Sequence, residues 1–212
     1  MKRLKTYISI CSLIMTMTVS VQAQTDTMKD IVRKAKADLI NVLSETREQF
    51  DFGINAEDVK NAQDASPVNY YEMNFERLLN YNGQSMAGIL ERDIKKIIPL
   101  VDNNKVVTTV GVTEDKQGTY QITDLINHQY HKELNDLPEA IKQDGFKGLK
   151  IIYIPNLIAT IYHVDGKNYT AYKGNSLKES VDDTTLLQLL KNDANSFQTK
   201  YGSQLKDGRL LD

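Results

Sequence analysis

The segment NHQYHKE, residues 127–133, holds two of the three histidines of the chain, with a glutamate close behind them. Residues i and i+3 of a helix share a face, so His128 and His131 could reach one metal ion. Zinc proteases instead space their histidines four apart and place a glutamate directly after the first, whereas Gln129 follows His128. Glu133 is two residues from His131 and lies on a different face. The spacing favours hydrated surface histidines, with metal binding as the minor alternative, and we predict no cofactor.

Other catalytic patterns have no counterpart in the sequence. There is no Gly-x-Ser-x-Gly elbow and no glycine-rich phosphate loop. Ser176 and Glu179 have the spacing of a helix-capping pair. The single cysteine, Cys11, lies in the N-terminal apolar run, so the remaining chain offers no thiol nucleophile and no disulfide. Two carboxylates that meet only in the fold leave no local signature, and a hydrolase of that kind stays open.

Tyrosine is abundant in this chain, with 11 tyrosines and no tryptophan. One predicted hairpin region contains four of them, namely Tyr153, Tyr162, Tyr169 and Tyr172. Tyrosines on a sheet most often pack across strands. Tyrosine also suits binding surfaces, because it combines an apolar ring with a polar hydroxyl. Cross-strand packing is therefore the commoner expectation, and these four tyrosines are the candidate binding residues.

The N-terminal segment has the layout of a secretory signal peptide. Lys2, Arg3 and Lys5 precede an apolar run over residues 7–21, and small residues stand at the positions before Gln24. This pattern predicts a signal peptide over residues 1–23 and an exported protein, periplasmic or extracellular. The apolar run is shorter than the ~20 residues that a membrane span needs.

The charge distribution excludes some classes of partner. The chain carries 26 basic and 28 acidic residues, and three of the basic residues lie in the predicted signal peptide. The other basic residues are scattered along the chain. We therefore predict no nucleic acid partner. No second long apolar segment follows, which predicts a mature chain without a transmembrane segment.

Hydrophobic periodicity predicts a helix at each end of a sheet region. A stripe at helical spacing predicts a helix over residues 27–50, and a second stripe predicts one over residues 182–202. Residues 66–175 contain strand and hairpin patterns with inserted helices. Asp124 is the expected N-cap of one of those helices.

The stretch from residue 86 to residue 98 fits either a helix or a strand. Pro99 follows it, and proline can neither continue a helix nor donate to a sheet ladder. We therefore place an edge strand at about residues 95–101, after a helix that would end near Asp93.

Runs of strands joined by short turns and flanked by helices are typical of an α+β fold with a mostly antiparallel sheet. The length of the chain and the lack of a low-complexity linker predict one domain over residues 24–212.

The order of four sequence motifs points to a family. The motifs PVNYYEMN, ERLLNY, PLVDNNKVVTTV and IIYIPNLIATIYHVDGK follow one another over about residues 65–175. In this order they resemble an uncharacterised group of exported bacterial proteins. The resemblance implies export and an α+β fold, and it brings no catalytic residues with it. Members of the group often carry a tryptophan near the Pro-x-Val-Asp strand, and this chain has none.

Together these features predict a soluble exported protein that binds another protein or an envelope component without catalysis. Two alternatives remain. One is a secreted hydrolase whose site is assembled only in the fold. The other is a structural subunit of an envelope complex, which would expose one large apolar patch.

Overall fold

The computed structural model of the chain describes residues 27–46, 49–206 and 209–210, so the predicted signal peptide lies outside the described residues. The α-helices are α1 Met28–Thr46, α2 Ala56–Asn61, α3 Phe75–Leu79, α4 His128–Asp136, α5 Glu139–Gln143 and α6 Asp183–Tyr201. The strands are β1 Gln63–Asp64, β2 Val68–Met73, β3 Leu90–Asp102, β4 Lys105–Glu114, β5 Tyr120–Asp124, β6 Lys150–Ile154, β7 Ala159–Val164, β8 Lys167–Tyr169, β9 Leu205–Lys206 and β10 Arg209–Leu210.

The main sheet is mostly antiparallel, which confirms the predicted α+β class. Its strand order is β5-β4-β3-β2-β6-β7-β8, and β1 pairs with one end of β3. The β2–β6 pair is parallel, and such a pair needs a long crossover connection. Here the connection runs through β3, β4, β5, α4 and α5. Strands β9 and β10 form a separate hairpin.

Helices cover both faces of the sheet. On one face, α1 and α2 pack over β3 and β4, and α3 and α6 pack over β6 and β7. On the other face, α4 and the segment after α5 pack over β2, β6 and β7. Neighbouring residues of one strand alternate between the two faces, as Ile97 and Ile98 do. None of the helices in the described ranges is long and apolar enough to span a membrane.

The stretch around Pro99 differs from its prediction. Residues 86–89 form a short 3₁₀ helix, and β3 begins directly afterwards at Leu90. The edge assignment was wrong, because β3 lies inside the sheet between β4 and β2. The Pro99 carbonyl oxygen accepts from the Ala65 N–H at 2.9 Å, in the break between β1 and β2. The N–H and C=O of a strand residue point to the same neighbouring strand. The position of the absent N–H of Pro99 therefore also faces the break, and the sheet loses no hydrogen bond.

The terminal helices follow their predictions with shorter bounds. The first predicted helix, 27–50, is α1 and ends at Thr46, and the last, 182–202, is α6. Asp182 caps α6 by accepting from the Thr185 N–H. The predicted cap Asp124 was wrong, because the side chain of Asn127 accepts from the Tyr130 N–H at the start of α4. Asp124 is the last residue of β5.

Candidate functional site

A cluster of charged and aromatic side chains lies between α4 and the sheet. We call it the tyrosine cluster, and it consists of Tyr70, Lys95, Asp124, Tyr130, Glu133 and Tyr162. The pairing of the strands brings its members together. Tyr70 pairs with Lys95 on one side and with Ile151 on the other, and Ile151 pairs with Tyr162. Paired residues project to the same side of a sheet, so these side chains face α4 together.

Lys95 is the cation of the tyrosine cluster. Its Nζ lies 3.0 Å from Oδ2 of Asp124, and the two side chains are 22% and 23% exposed. The same Nζ lies 5.2 Å from the ring centroid of Tyr70 and 5.9 Å from that of Tyr130. Both distances are within the range of cation–π attraction. The ammonium group is therefore held by one carboxylate and two ring faces.

Gly111 makes room for the carboxylate of Asp124. The two residues pair across β4 and β5. A Cβ atom at Gly111 would lie 2.2 Å from Oδ2 of Asp124 and 2.6 Å from Oγ1 of Thr123. Oδ1 of Asp124 is buried and has no hydrogen-bond partner among the described residues, and the same holds for Oγ1 of Thr109 on β4. The site thus contains an acceptor that is still free to receive a proton donor.

Glu133 is the second carboxylate of the cluster, and both of its oxygens accept hydrogen bonds. The hydroxyl of the fully buried Tyr162 donates to Oε2 at 2.7 Å. Nε2 of Gln129 donates to Oε1 at 3.2 Å and also reaches Oγ1 of Thr160 at 3.2 Å. This network ties the first turns of α4 to β7.

Beside the start of α4 the cluster is bordered by the exposed Gln129 and the half-buried Glu72 and Tyr153, with the buried Thr160 of β7 next to them. We call this polar edge the mouth, and it is formed by Glu72, Gln129, Tyr153 and Thr160. Glu72, Tyr153 and Thr160 are paired neighbours on β2, β6 and β7 and face the same side. Tyr153 is half-buried, with its ring centroid 6.4 Å from that of Tyr70, while Gln129 is exposed. The mouth therefore offers an aromatic ring flanked by a carboxylate, an amide and a hydroxyl.

Burial keeps the hydroxyls of the tyrosine cluster protonated. It raises the pKa of Tyr130 to about 12, with the negative charges of Asp124 and Glu133 adding to the effect. Burial also raises the pKa of Tyr70 and of Tyr162, and the adjacent Glu133 raises that of Tyr162 further. Near neutral pH these hydroxyls are hydrogen-bond donors, and they are neither bases nor nucleophiles.

The four candidate tyrosines do not form one surface. Tyr162 and Tyr169 are buried in the core under α4, so these two serve packing. Tyr153 lies at the mouth. Tyr172 is half-buried on the opposite side of the sheet, where its hydroxyl donates to Asp193 of α6 at 2.9 Å. A binding role therefore remains a prediction for Tyr153, the tyrosine that borders the cluster.

The histidines lie apart from the tyrosine cluster. His128 is exposed on α4, and His131 is half-buried one turn later. Burial and the neighbouring His128 lower the pKa of His131. His163 hydrogen-bonds to Asn168 at 2.8 Å, and it faces the opposite side of the sheet from the adjacent Tyr162. Within the part of the chain that the structure describes, no group of three His, Cys, Asp or Glu side chains is placed to hold a metal ion.

Sequence reasoning missed Lys95, Asp124 and Tyr70. One local signal could have pointed to them, namely Gly111 within the apolar strand segment VVTTVGVT. A glycine inside a strand often marks the close approach of another group, and here that group is the carboxylate of Asp124.

We expect Tyr162→Phe to lower the free energy of unfolding by about 1–2 kcal/mol, because Glu133 loses a donor in a partly buried setting. Urea unfolding measures the difference. Tyr169→Phe is the matched control, since that hydroxyl has no protein partner in the described ranges, and it should change the stability little. Equal effects of the two substitutions would contradict the expectation.

Comparison of the chain with family models, with curated proteins and with solved structures finds no match. A function for this chain is therefore inferred from the residues of the site.

Proposed function

We propose that the protein is exported and acts by binding another protein or an envelope component, which it holds at the mouth of the tyrosine cluster. The proposal is based on the residues that surround the ring of Tyr153. Its half-buried ring lies between Glu72 and Thr160 on neighbouring strands, with Gln129 of α4 bonded to Thr160. Rigid aromatic rings flanked by a few fixed polar groups are typical of binding sites.

The hydrogen bonds of the cluster favour binding over catalysis. A general base near neutral pH needs a group that can take up a proton. One oxygen of Asp124 is held by the ammonium of Lys95, and both oxygens of Glu133 accept hydrogen bonds. The raised pKa values of Tyr70 and Tyr130 keep both hydroxyls neutral. Most polar atoms of the cluster are therefore bonded to one another, which fits a rigid support beneath the mouth better than a site of proton transfer.

The polarity of the mouth indicates what kind of ligand group fits. Glu72 places a carboxylate beside the ring of Tyr153, and Gln129, whose Nε2 donates to Glu133 and Thr160, presents its amide oxygen. Hydroxyl or amide N–H donors on a group with one apolar face complement this set. A sugar ring of an envelope glycan and an extended peptide segment both present such groups.

Capture from the envelope of the native host tests the proposal. Mature protein with a C-terminal tag is incubated with envelope and medium, and bound proteins and glycans are identified by mass spectrometry. The affinity of the captured component is then measured for wild type, Tyr153→Ala and, as a control on the opposite side of the sheet, Tyr172→Ala. We expect Tyr153→Ala to weaken binding about tenfold, as loss of an aromatic anchor does, and Tyr172→Ala to leave it unchanged.

Two results would overturn the proposal. The first is capture of the same components in equal yield by wild type and Tyr153→Ala. The second is robust turnover by the purified protein on peptide, glycan or ester substrates, which would favour the hydrolase alternative.

A further inference from the structure

A row of nitrogen-bearing side chains crosses the sheet on the face that also carries α1 and α6. We call it the basic strip, and it consists of Lys96, Asn69, Lys150 and His163 on β3, β2, β6 and β7. Each member pairs with the next in the register of the sheet. Strands lie ~4.8 Å apart, so the strip extends over roughly 14 Å.

The basic strip lies between two apolar clusters. Ile98, two residues beyond Lys96 on β3, packs under α1 and α2. Ile152, two residues beyond Lys150 on β6, packs under α6. The strip is therefore a polar band between the two helix pairs. It is on the opposite side of the sheet from the tyrosine cluster, so it is independent of the function proposed for the mouth.

Two carboxylates approach the strip at long distance, Asp93 beside Lys96 and Asp183 at 3.9 Å from Nδ1 of His163. Lys150 Nζ lies 6.0 Å from the ring centroid of Tyr71, and no carboxylate pairs with it among the described residues. Lys96 Nζ lies 3.7 Å from Oδ2 of Asp93, and these side chains are 28% and 47% exposed. Such a long, water-exposed pair contributes little, so both ammonium groups can turn to an anion.

The hydrogen bonds of His163 fix which ring nitrogen is free. The fully buried Asn168 donates its two amide protons to the Val181 carbonyl at 3.1 Å and to Asp183 at 2.7 Å. Its Oδ1 must therefore accept the proton of His163 Nδ1, at 2.8 Å. Nε2 is left without a protein partner in the part of the chain that the structure describes.

We propose that the basic strip binds a phosphate monoester group. Lys96 and Lys150 flank Asn69 on the strip, and their two positive charges match the two negative charges of such a group, whereas a carboxylate brings one. A phosphate monoester gains or loses a proton near pH 6. Because Nδ1 of His163 is bonded to Asn168, Nε2 is the ring nitrogen that can bond to the ester. Asn69 adds an amide donor between the lysines.

The test uses isotope-labelled mature protein and follows backbone amide NMR signals. Inorganic phosphate and glycerol phosphate are titrated into wild type, Lys150→Gln and Lys132→Gln. Lys132 is exposed on α4, on the other side of the sheet, and its substitution changes the net charge equally. We expect both probes to shift the signals of residues 69, 96, 150 and 163. Lys150→Gln should weaken binding roughly tenfold, the usual loss for a charge-assisted hydrogen bond, and Lys132→Gln should leave it unchanged.

Three outcomes would overturn the proposal. One is an absence of shifts along the strip with either probe. Another is equal weakening by Lys150→Gln and Lys132→Gln, which would show general ionic attraction only. The third is binding of inorganic phosphate without glycerol phosphate, which would show an adventitious ion only. A parallel experiment with vesicles containing phosphatidic acid separates the two sources of the phosphate group. If the ligand is a lipid headgroup, the protein binds the vesicles. If the ligand is a soluble ester, glycerol phosphate binds and the vesicles do not.

Discussion

Gly111→Ala is expected to lower the free energy of unfolding by about 2 kcal/mol. The added Cβ would lie 2.2 Å from Oδ2 of Asp124 and 2.6 Å from its Cγ. No carbon atom can approach so closely, so the carboxylate must move. That movement pulls Oδ2 away from Lys95 Nζ, now 3.0 Å distant, and leaves a partly buried ammonium with only the rings of Tyr70 and Tyr130. Urea unfolding of wild type and variant measures the effect.

Gly88→Ala is the matched control for this substitution. Gly88 lies in the 3₁₀ helix before β3, and an added Cβ would meet Gln84 Cβ at 3.6 Å, an ordinary contact. We expect this control to change the free energy of unfolding by less than ~1 kcal/mol.

A double-mutant cycle identifies the cause of the loss. In an Asp124→Ala background the clashing carboxylate is gone, so Gly111→Ala should cost clearly less than it does in the wild type. Additive effects of the two substitutions would show that the Cβ disturbs something other than Asp124, and the account of the Lys95–Asp124 pair would then be wrong.

The outline of the fold could be predicted from sequence because its signals are local. The stripes of α1 and α6 and the hairpin patterns between them each depend on residues that are close in the chain. Such patterns are sufficient for an α+β class with hairpins. They do not show which strands pair with each other when those strands are distant in sequence.

The tyrosine cluster and the basic strip both depend on that distant pairing. The parallel β2–β6 pair joins Asn69 to Lys150 and Tyr70 to Ile151, and no turn between those residues fixes the register. The role of Asp124 was also not predictable from local sequence, because its partner is distant in the chain. Its position before a helical pattern favours a cap, but Asn127 takes that role, and Asp124 pairs with Lys95 across 29 residues of chain.

The positions of the tyrosines in the sequence also did not show which of them are buried and which are accessible to solvent. Tyr162 and Tyr169 are paired neighbours on β7 and β8, and both face the core under α4. Tyr153, on β6, faces the same side and still reaches the mouth, because it lies near the start of α4. Accessibility follows from where the covering helix begins, and that depends on Asn127.

We expect the stability of the protein to fall steeply above about pH 10. The cause is the burial of Tyr70, Tyr130 and Tyr162, which raises the pKa of all three hydroxyls, that of Tyr130 to about 12. In the unfolded chain tyrosines ionise near 10. Above that pH the unfolded state releases protons that the folded state retains, so the free energy of unfolding decreases as the pH rises.

The size of the effect follows from the number of tyrosines involved. Each tyrosine that stays protonated only in the folded state contributes a slope of about 1.4 kcal/mol per pH unit. The three tyrosines of the cluster together give about 4 kcal/mol per pH unit between pH 10 and the pKa of the folded state. Tyr172, whose pKa is raised by burial and by Asp193, adds to this slope. Below pH 10 both states hold these protons, and the three tyrosines should contribute no slope. Urea unfolding at a series of alkaline pH values, with tyrosinate absorbance recorded in parallel, measures this dependence.

Tyr130→Phe separates ionisation from packing. The substitution changes hydrogen bonding at every pH, which shifts the whole curve, but only the loss of a titrating hydroxyl changes its slope. We expect the slope above pH 10 to decrease by about 1.4 kcal/mol per pH unit, and Tyr162→Phe should reduce it by a similar amount. An unchanged slope in both variants would show that the steep alkaline loss arises outside the tyrosine cluster.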